Sequence, residues 1–257
     1  MLKALILTAA TLVAAPIGTV TIAPRFLAFQ QPSTPTPSPG TSAPQFLAPP
    51  TAAAVAFARE LMDAADDGAR RAMLDDRKTL VTIDLTRALL DEGSRALQKG
   101  THDRALIAYR LARTVAERAG ERNGAAVATS RIAQTLSAIG EYDQALPLLR
   151  ESEAIYRELK DRRSELQILN NQAIVHRLRG DLDAALAIQR RVLAAREADG
   201  DPVALGVTLN NIGALQLGRG AYRDALAALQ RALAYRKPGS PEYGLSLIHI
   251  SEPTRPY

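Results

Sequence analysis

Gly100, Gly140, Gly180 and Gly220 stand forty residues apart, and they open GTHDRAL, GEYDQAL, GDLDAAL and GAYRDAL. Ala105, Ala145, Ala185 and Ala225 follow at a fixed distance, each succeeded by leucine: Leu106, Leu146, Leu186 and Leu226. Seven residues before each glycine stands a small residue, Gly93, Ala133, Ala173 or Gly213. A fixed period of this size means supersecondary units that cannot bury their apolar side singly and must stack into a solenoid.

The content of each unit is helical. Ala, Leu, Arg, Glu and Gln dominate from 52 to 237, and all are good helix formers. Long β-branched runs with period-two alternation are missing. Each unit therefore reads as helix A, a turn at the glycine, and helix B. Glycine ends helix A because it takes the left-handed conformation at no steric cost. Asp103, Asp143 and Asp183 fall where helix B begins, where a carboxylate is expected to cap free backbone N–H groups. Arg223 departs from this pattern, with Asp224 beside it. The recurring alanine is expected at the close crossing of A and B, where a larger side chain would overpack by about 1–3 kcal/mol. Pro147 is expected in the first turn of its helix, where its missing N–H costs little.

Small residues in helix A, the turn glycine, an aromatic two residues on (Tyr142, Tyr222) and alanine in helix B resemble the tetratricopeptide repeat. Leu169-Asn170-Asn171 and Leu209-Asn210-Asn211 resemble the longer repeats of the kinesin light chain type. Two features depart from the standard repeat. The period is forty against about 34, and Leu89, Thr129, Leu169 and Leu209 hold the usual tryptophan position. The period alone also suits HEAT-type repeats; the glycine-to-alanine spacing favours the tetratricopeptide repeat. The resemblance implies an all-α, right-handed α-solenoid of stacked helix-turn-helix repeats, here with a disordered N-terminal segment.

The expected organisation follows. Residues 1–23 carry Lys3 and then an uncharged stretch, as a signal peptide or membrane anchor does. Residues 24–51 form a Pro/Ser/Thr-rich linker, too polar and proline-rich to bury a core. Residues 52–82 form a helical N-terminal cap, 83–237 four repeats, and 238–244 the start of a fifth, truncated one. The tail 245–257, LSLIHISEPTRPY, breaks the period and resembles a translated sequencing adapter, so His249 is given no role. Export to the cell envelope, secretion, or anchoring in an inner membrane is the expected location.

No catalytic constellation is legible. The chain has no cysteine, which excludes thiolate nucleophiles, disulfides and cysteine zinc sites. His102 and His176 sit in packing slots two units apart, and no zinc or phosphate-loop motif occurs. Asp66-Asp67 and Asp75-Asp76 read as solvated charge pairs. No enzyme activity, cofactor or metal is expected. The net charge of +5 is spread as arginine among acidic residues, as in RRSE at 162–165, without a basic block. A nucleic-acid partner is accordingly not expected, and membrane contact only through the N-terminal segment.

The remaining candidate is the inner face of the A helices. In peptide-binding relatives, the asparagine nine residues before the turn glycine reaches the backbone of an extended peptide. The resemblance places Asn171 and Asn211 there, with Arg131 and Asp91 in the other units. An amide can bond a peptide group as donor and acceptor. Arg131 and Arg177 would attract an acidic or C-terminal carboxylate. Alternatively the asparagines bond between neighbouring A helices and fix the stacking, a role expected above all for Asn170 and Asn210. The expected function is a protein-interaction scaffold binding a peptide or partner domain. The alternative is the regulatory half of a larger protein, docking its own missing downstream domain, as in bacterial proteins that join such arrays to a CHAT caspase-like protease.

Overall fold

The computed structural model describes residues 49–235. The expected leader at 1–23, nearly all of the linker at 24–51, the fifth unit at 238–244 and the tail at 245–257 lie outside the described residues. Among those described, every regular element is helical. Helices α1 (Ala52–Asp63) and α2 (Asp67–Asp76) and a 3-10 turn (Lys78–Leu80) precede four hairpins. These are α3 (Ile83–Gln98) with α4 (His102–Arg118), and α5 (Arg122–Ala138) with α6 (Tyr142–Glu158). Then come α7 (Arg162–Arg179) with α8 (Leu182–Asp199), and α9 (Pro202–Gly218) with α10 (Tyr222–Ala234). Odd-numbered helices from α3 onward are the A helices and even-numbered ones the B helices.

The backbone turns twice per repeat. Positive φ occurs at Gly100, Gly120, Gly140, Lys160, Gly180, Gly200 and Gly220, one every twenty residues. At Gly180 the cap is a Schellman motif: Asp181 N–H bonds His176 C=O at 2.8 Å, and Gly180 N–H bonds Arg177 C=O at 3.0 Å. Lys160, with φ 57°, makes the same turn without glycine. At every paired turn but that of Gly200, the residue after the turn position is at once the end of one cap and the N-cap of the next helix, which keeps the connections to two or three residues.

Packing follows the small residues. Ala105, Ala145, Ala185 and Ala225 are fully buried, as the close crossing requires. Gly93 faces Tyr109, whose ring lies 2.3 Å from where a Cβ would stand, and Gly213 faces Leu229 at 2.6 Å. Tyr109, Leu149, Gln189 and Leu229 share one register of the B helices, and all are buried. The partner in helix A is therefore a glycine or alanine throughout. The N-terminal helix α1 buries Phe57, Ala58 and Leu61 against α3, whose Leu85 and Leu89 are fully covered.

Two local expectations are corrected. Asp103, Asp143 and Asp183 lie inside the first turn and make no capping bond. Asp143 and Asp183 instead pair with arginines at the end of the next A helix, Arg179 at 3.0 Å and Arg219 at 2.7 Å. Both carboxylates are exposed, so each pair contributes only about 0.2–1 kcal/mol. Pro147 is the sixth residue of α6, not in its first turn. Its ring side is exposed, so the Asp143 carbonyl that loses an N–H partner stays open to water.

Candidate functional site

The A helices form the inner row. α3 approaches α5, and α5 approaches α7, more closely than any two B helices approach each other. The array therefore bends toward the A side, and the A-helix face turned away from the B helices is its inner face.

Of the four residues expected there, three are accessible. Arg131 on α5 and Asn171 on α7 occupy equivalent positions of neighbouring A helices and are half-buried. Arg131 Nη1 donates to Gln134 Oε1 at 3.3 Å. The Asn171 amide has no side-chain partner among the described residues. Arg177 is half-buried in the last turn of α7, about 9 Å along the axis from Asn171 at 1.5 Å per residue.

Asn211 is a correction. It is 7% exposed, and its Nδ2 donates to Asn170 Oδ1 at 3.0 Å across the third junction. Asn170 Oδ1 also accepts from Gln189 Nε2 at 2.7 Å. Asn211 thus bridges adjacent A helices and is withdrawn from the groove. Adjacent asparagines on one helix differ in direction by about 100°, so Asn170 points to the seam while Asn171 points outward.

The polar side chains that sequence reasoning missed lie in the seams between repeats. At the second junction Glu153 and Glu165 are buried. Glu153 accepts from Gln172 Nε2 at 2.7 Å and from Arg157, which also reaches Glu165 at 3.2 Å. At the third, Arg196 Nη1 donates to Ala204 C=O at 2.7 Å and Thr208 Oγ1 at 2.6 Å. Burial lowers the Arg196 pKa, partly offset by Asp201 and Asp199. The Tyr156 hydroxyl is pushed up to about 12, chiefly by burial and then by the charge of Asp161, with Arg131 acting the other way. Register alone did not mark these residues: Gln172 and Arg196 stand where Ile132 and Ala116 stand in earlier units, whereas Glu153 and Arg157 stand where Arg113 and Glu117 do.

Acid–base chemistry has little to work with. His176 Nδ1 lies 3.4 Å from Asp181 Oδ2 within its own turn, and His102 starts α4 two repeats away. Among the described residues no three His, Asp or Glu side chains gather as a metal site would need. Among the same residues no helix is long and apolar enough to cross a membrane.

Stacked two-helix units with tight paired turns, an inner A row and buried alanine crossings define a helical-repeat solenoid. The tetratricopeptide repeat family model matches residues 86–158 and 164–237, together more than half of the chain, and the chain belongs to that family. No curated protein matches it in sequence. Similar solved structures include a putative kinesin light chain with nearly identical TPR-like repeats from Podosopora anserina. It has TM-score 0.57 and 15% identity, covering 65% of this chain and 84% of that one. BtubC (BKLC) from P. vanneervenii gives TM-score 0.61 and 20% identity over 78% and 82%. NprR in complex with its cognate peptide NprX gives 0.53 and 16% over 78% and 60%. At these identities the likeness is one of fold.

Proposed function

We propose that this protein is a non-catalytic interaction scaffold that holds an extended peptide or a partner domain along its inner A-helix face. Arg131, Asn171 and Arg177 are the contacting residues. One observation carries the reading: equivalent positions on α5 and α7 present half-exposed polar groups, and the Asn171 amide has no partner among the described residues. NprR, a similar fold, has been solved with a bound peptide, which supports the same use of this one. In this reading residues 1–23 export or anchor the array, and the proline-rich stretch spaces it from the membrane.

Each hydrogen bond to a peptide adds about 0.5–1.5 kcal/mol net, so affinity must accumulate over several repeats. One class of the peptides selected on the full chain should bind Arg131→Ala/Asn171→Ala about tenfold more weakly, as two such bonds require. Equal affinity of both proteins for every selected peptide would discredit the groove. Asn211→Ala should alter stability and leave the intrinsic groove contacts intact.

A second reading makes the array the regulatory part of a longer protein. An open reading frame continuing past Gly244 into a further helix pair would support it; a stop codon directly after that point would reject it.

A further inference from the structure

The bend that gathers the A helices spreads the B helices, and two notches open on the outer face. The first, about 410 Å³, lies between α4 and α6 above α5, with Ile132 and Leu136 as floor and Pro147 and Leu148 as wall. The second, about 330 Å³, lies between α8 and α10 above α9, with Ile212 and Gln216 as floor and Ala227 and Ala228 as wall. These residues correspond one to one, two repeats apart, so the same site is built twice.

The rims share one charged residue by register, Arg110 at the first and Arg190 at the second, and differ elsewhere. Arg110, Arg113 and Glu117 border the first notch; Arg190, Arg231 and Asp224 border the second. Arg113 is engaged by Glu117 and Glu151, both at 2.7 Å, and Arg231 by Glu197 at 3.0 Å. Arg110 and Arg190 are exposed and pair with no described residue. Arg150, at the same register of α6, is likewise exposed and unpaired. Three consecutive B helices thus carry a row of free guanidinium groups, while many other surface arginines are matched by carboxylates. The position between the two notches is filled. Glu153, Arg157 and Gln172 stand where Arg113, Glu117 and Ile132 stand one repeat earlier, and they bond one another.

A ligand for this face must supply carboxylates for the row and apolar groups for two separated notches. A uniform anionic polymer leaves the notches empty, and a flat anionic bilayer does not reach floors sunk below an outward-curving rim. The geometry points to a second docking surface, on the B-helix face, for an acidic amphipathic polypeptide segment of a partner protein. One apolar side chain enters each notch, and carboxylates face Arg110, Arg150 and Arg190. Such charge complementarity steers association and selects the partner, while the buried apolar anchors hold it. This surface lies on the face opposite the groove proposed above and does not depend on it.

The test uses a phage-displayed library of random peptides selected on the full chain, with affinities read by fluorescence anisotropy. One enriched class should combine Asp or Glu with spaced apolar residues. Its members should bind Arg110→Glu/Arg150→Glu/Arg190→Glu at least about tenfold more weakly, as reversal of facing charges predicts. They should be displaced equally by Pro147→Trp/Ala227→Trp, which fills both notches from exposed positions. They should bind Arg131→Ala/Asn171→Ala as they bind the wild type. Lys78→Glu/Lys99→Glu/Arg163→Glu makes the same change in net charge away from the row and should have little effect. Circular dichroism confirms that each variant is folded. A selection with no acidic–apolar class among its enriched peptides overturns the proposal, as does equal loss of binding in the row and control variants. Poly-glutamate or phosphatidylglycerol vesicles binding as tightly as the selected peptides, with the same dependence on the row, overturn it too.

Discussion

The first and third junctions of the array occupy the same slot of the repeat and are closed by opposite chemistry. At the first, Ala116 of α4 meets Gly124 of α5; a Cβ on Gly124 would lie 3.3 Å from that of Ala116 and 3.2 Å from Thr86 Cγ2. At the third, the position of Ala116 is taken by Arg196, which reaches across to Ala204 and Thr208 of α9. The amides of Asn170, Gln189 and Asn211 close the remainder. The A helices reflect this: α3 and α5 pack side by side, and α7 and α9 stand farther apart. Small residues let backbones approach until dispersion holds the seam, whereas long polar side chains hold a wider seam by directed bonds. A solenoid whose units touch only their neighbours can vary each seam separately, and so tune local curvature without changing the fold.

The largest expected effect separates the two seams directly. Gly124→Leu should cost about 3 kcal/mol by overpacking the tight junction. Ala204→Leu, the same slot in the wider one, should cost about 1 kcal/mol. Because repeat arrays need not unfold in one step, hydrogen exchange of each helix pair should accompany urea melts. Equal losses at both sites would erase the distinction.

The polar seam makes its own prediction. Asn170→Ala removes the shared acceptor and leaves Gln189 and Asn211 donors buried and unpaired, for a loss of about 2–3 kcal/mol. Asn171→Ala, one residue on, should stay within about 0.5 kcal/mol, since its amide faces outward. Comparable melting of the two variants would break the assignment of one asparagine to the seam and the other to the groove.

The second junction lies between these extremes and carries Tyr156 in the same slot. Its folded pKa, pushed up to about 12, exceeds the unfolded value of about 10. Its stability contribution is therefore full below about pH 10 and is lost as pH rises toward 12, by about 2–3 kcal/mol. Tyr156→Phe should remove that part of the alkaline decline in urea melts across this window; an unchanged decline would show that the hydroxyl is not held in the seam.

The smallest effect concerns the turns that set the seams. Lys160 occupies a left-handed position that glycine fills at every other paired turn. Lys160→Gly should stabilise the array by about 0.5–1 kcal/mol, because relief of positive-φ strain outweighs the added freedom of the unfolded chain. A loss on substitution would mean that the lysine side chain braces the second junction.

The forty-residue period with its glycine and alanine positions was enough to read helical hairpins, their stacking and the closeness of A to B. Gly120 and Gly200 carried a further signal, the half-period of the intervening turns. The candidate site was legible to the level of register and no finer. Arg131 and Asn171 were placed on the inner face by their distance from the turn glycine, and the same distance misplaced Asn211. Glu153, Gln172 and Arg196 gave no warning, since in one dimension they look like surface residues.

What the sequence determined by itself was the unit: helix, left-handed turn, helix, repeated with small residues where backbones must meet. Those features depend on steric and backbone preferences within a few turns of chain, and a fixed period writes them plainly. What only the tertiary structure decided was the direction of each polar group once units were stacked. A difference of one residue turns a side chain by about 100° on a helix. Whether that direction is a seam, an inner face or an outer notch depends on how closely the next hairpin approaches.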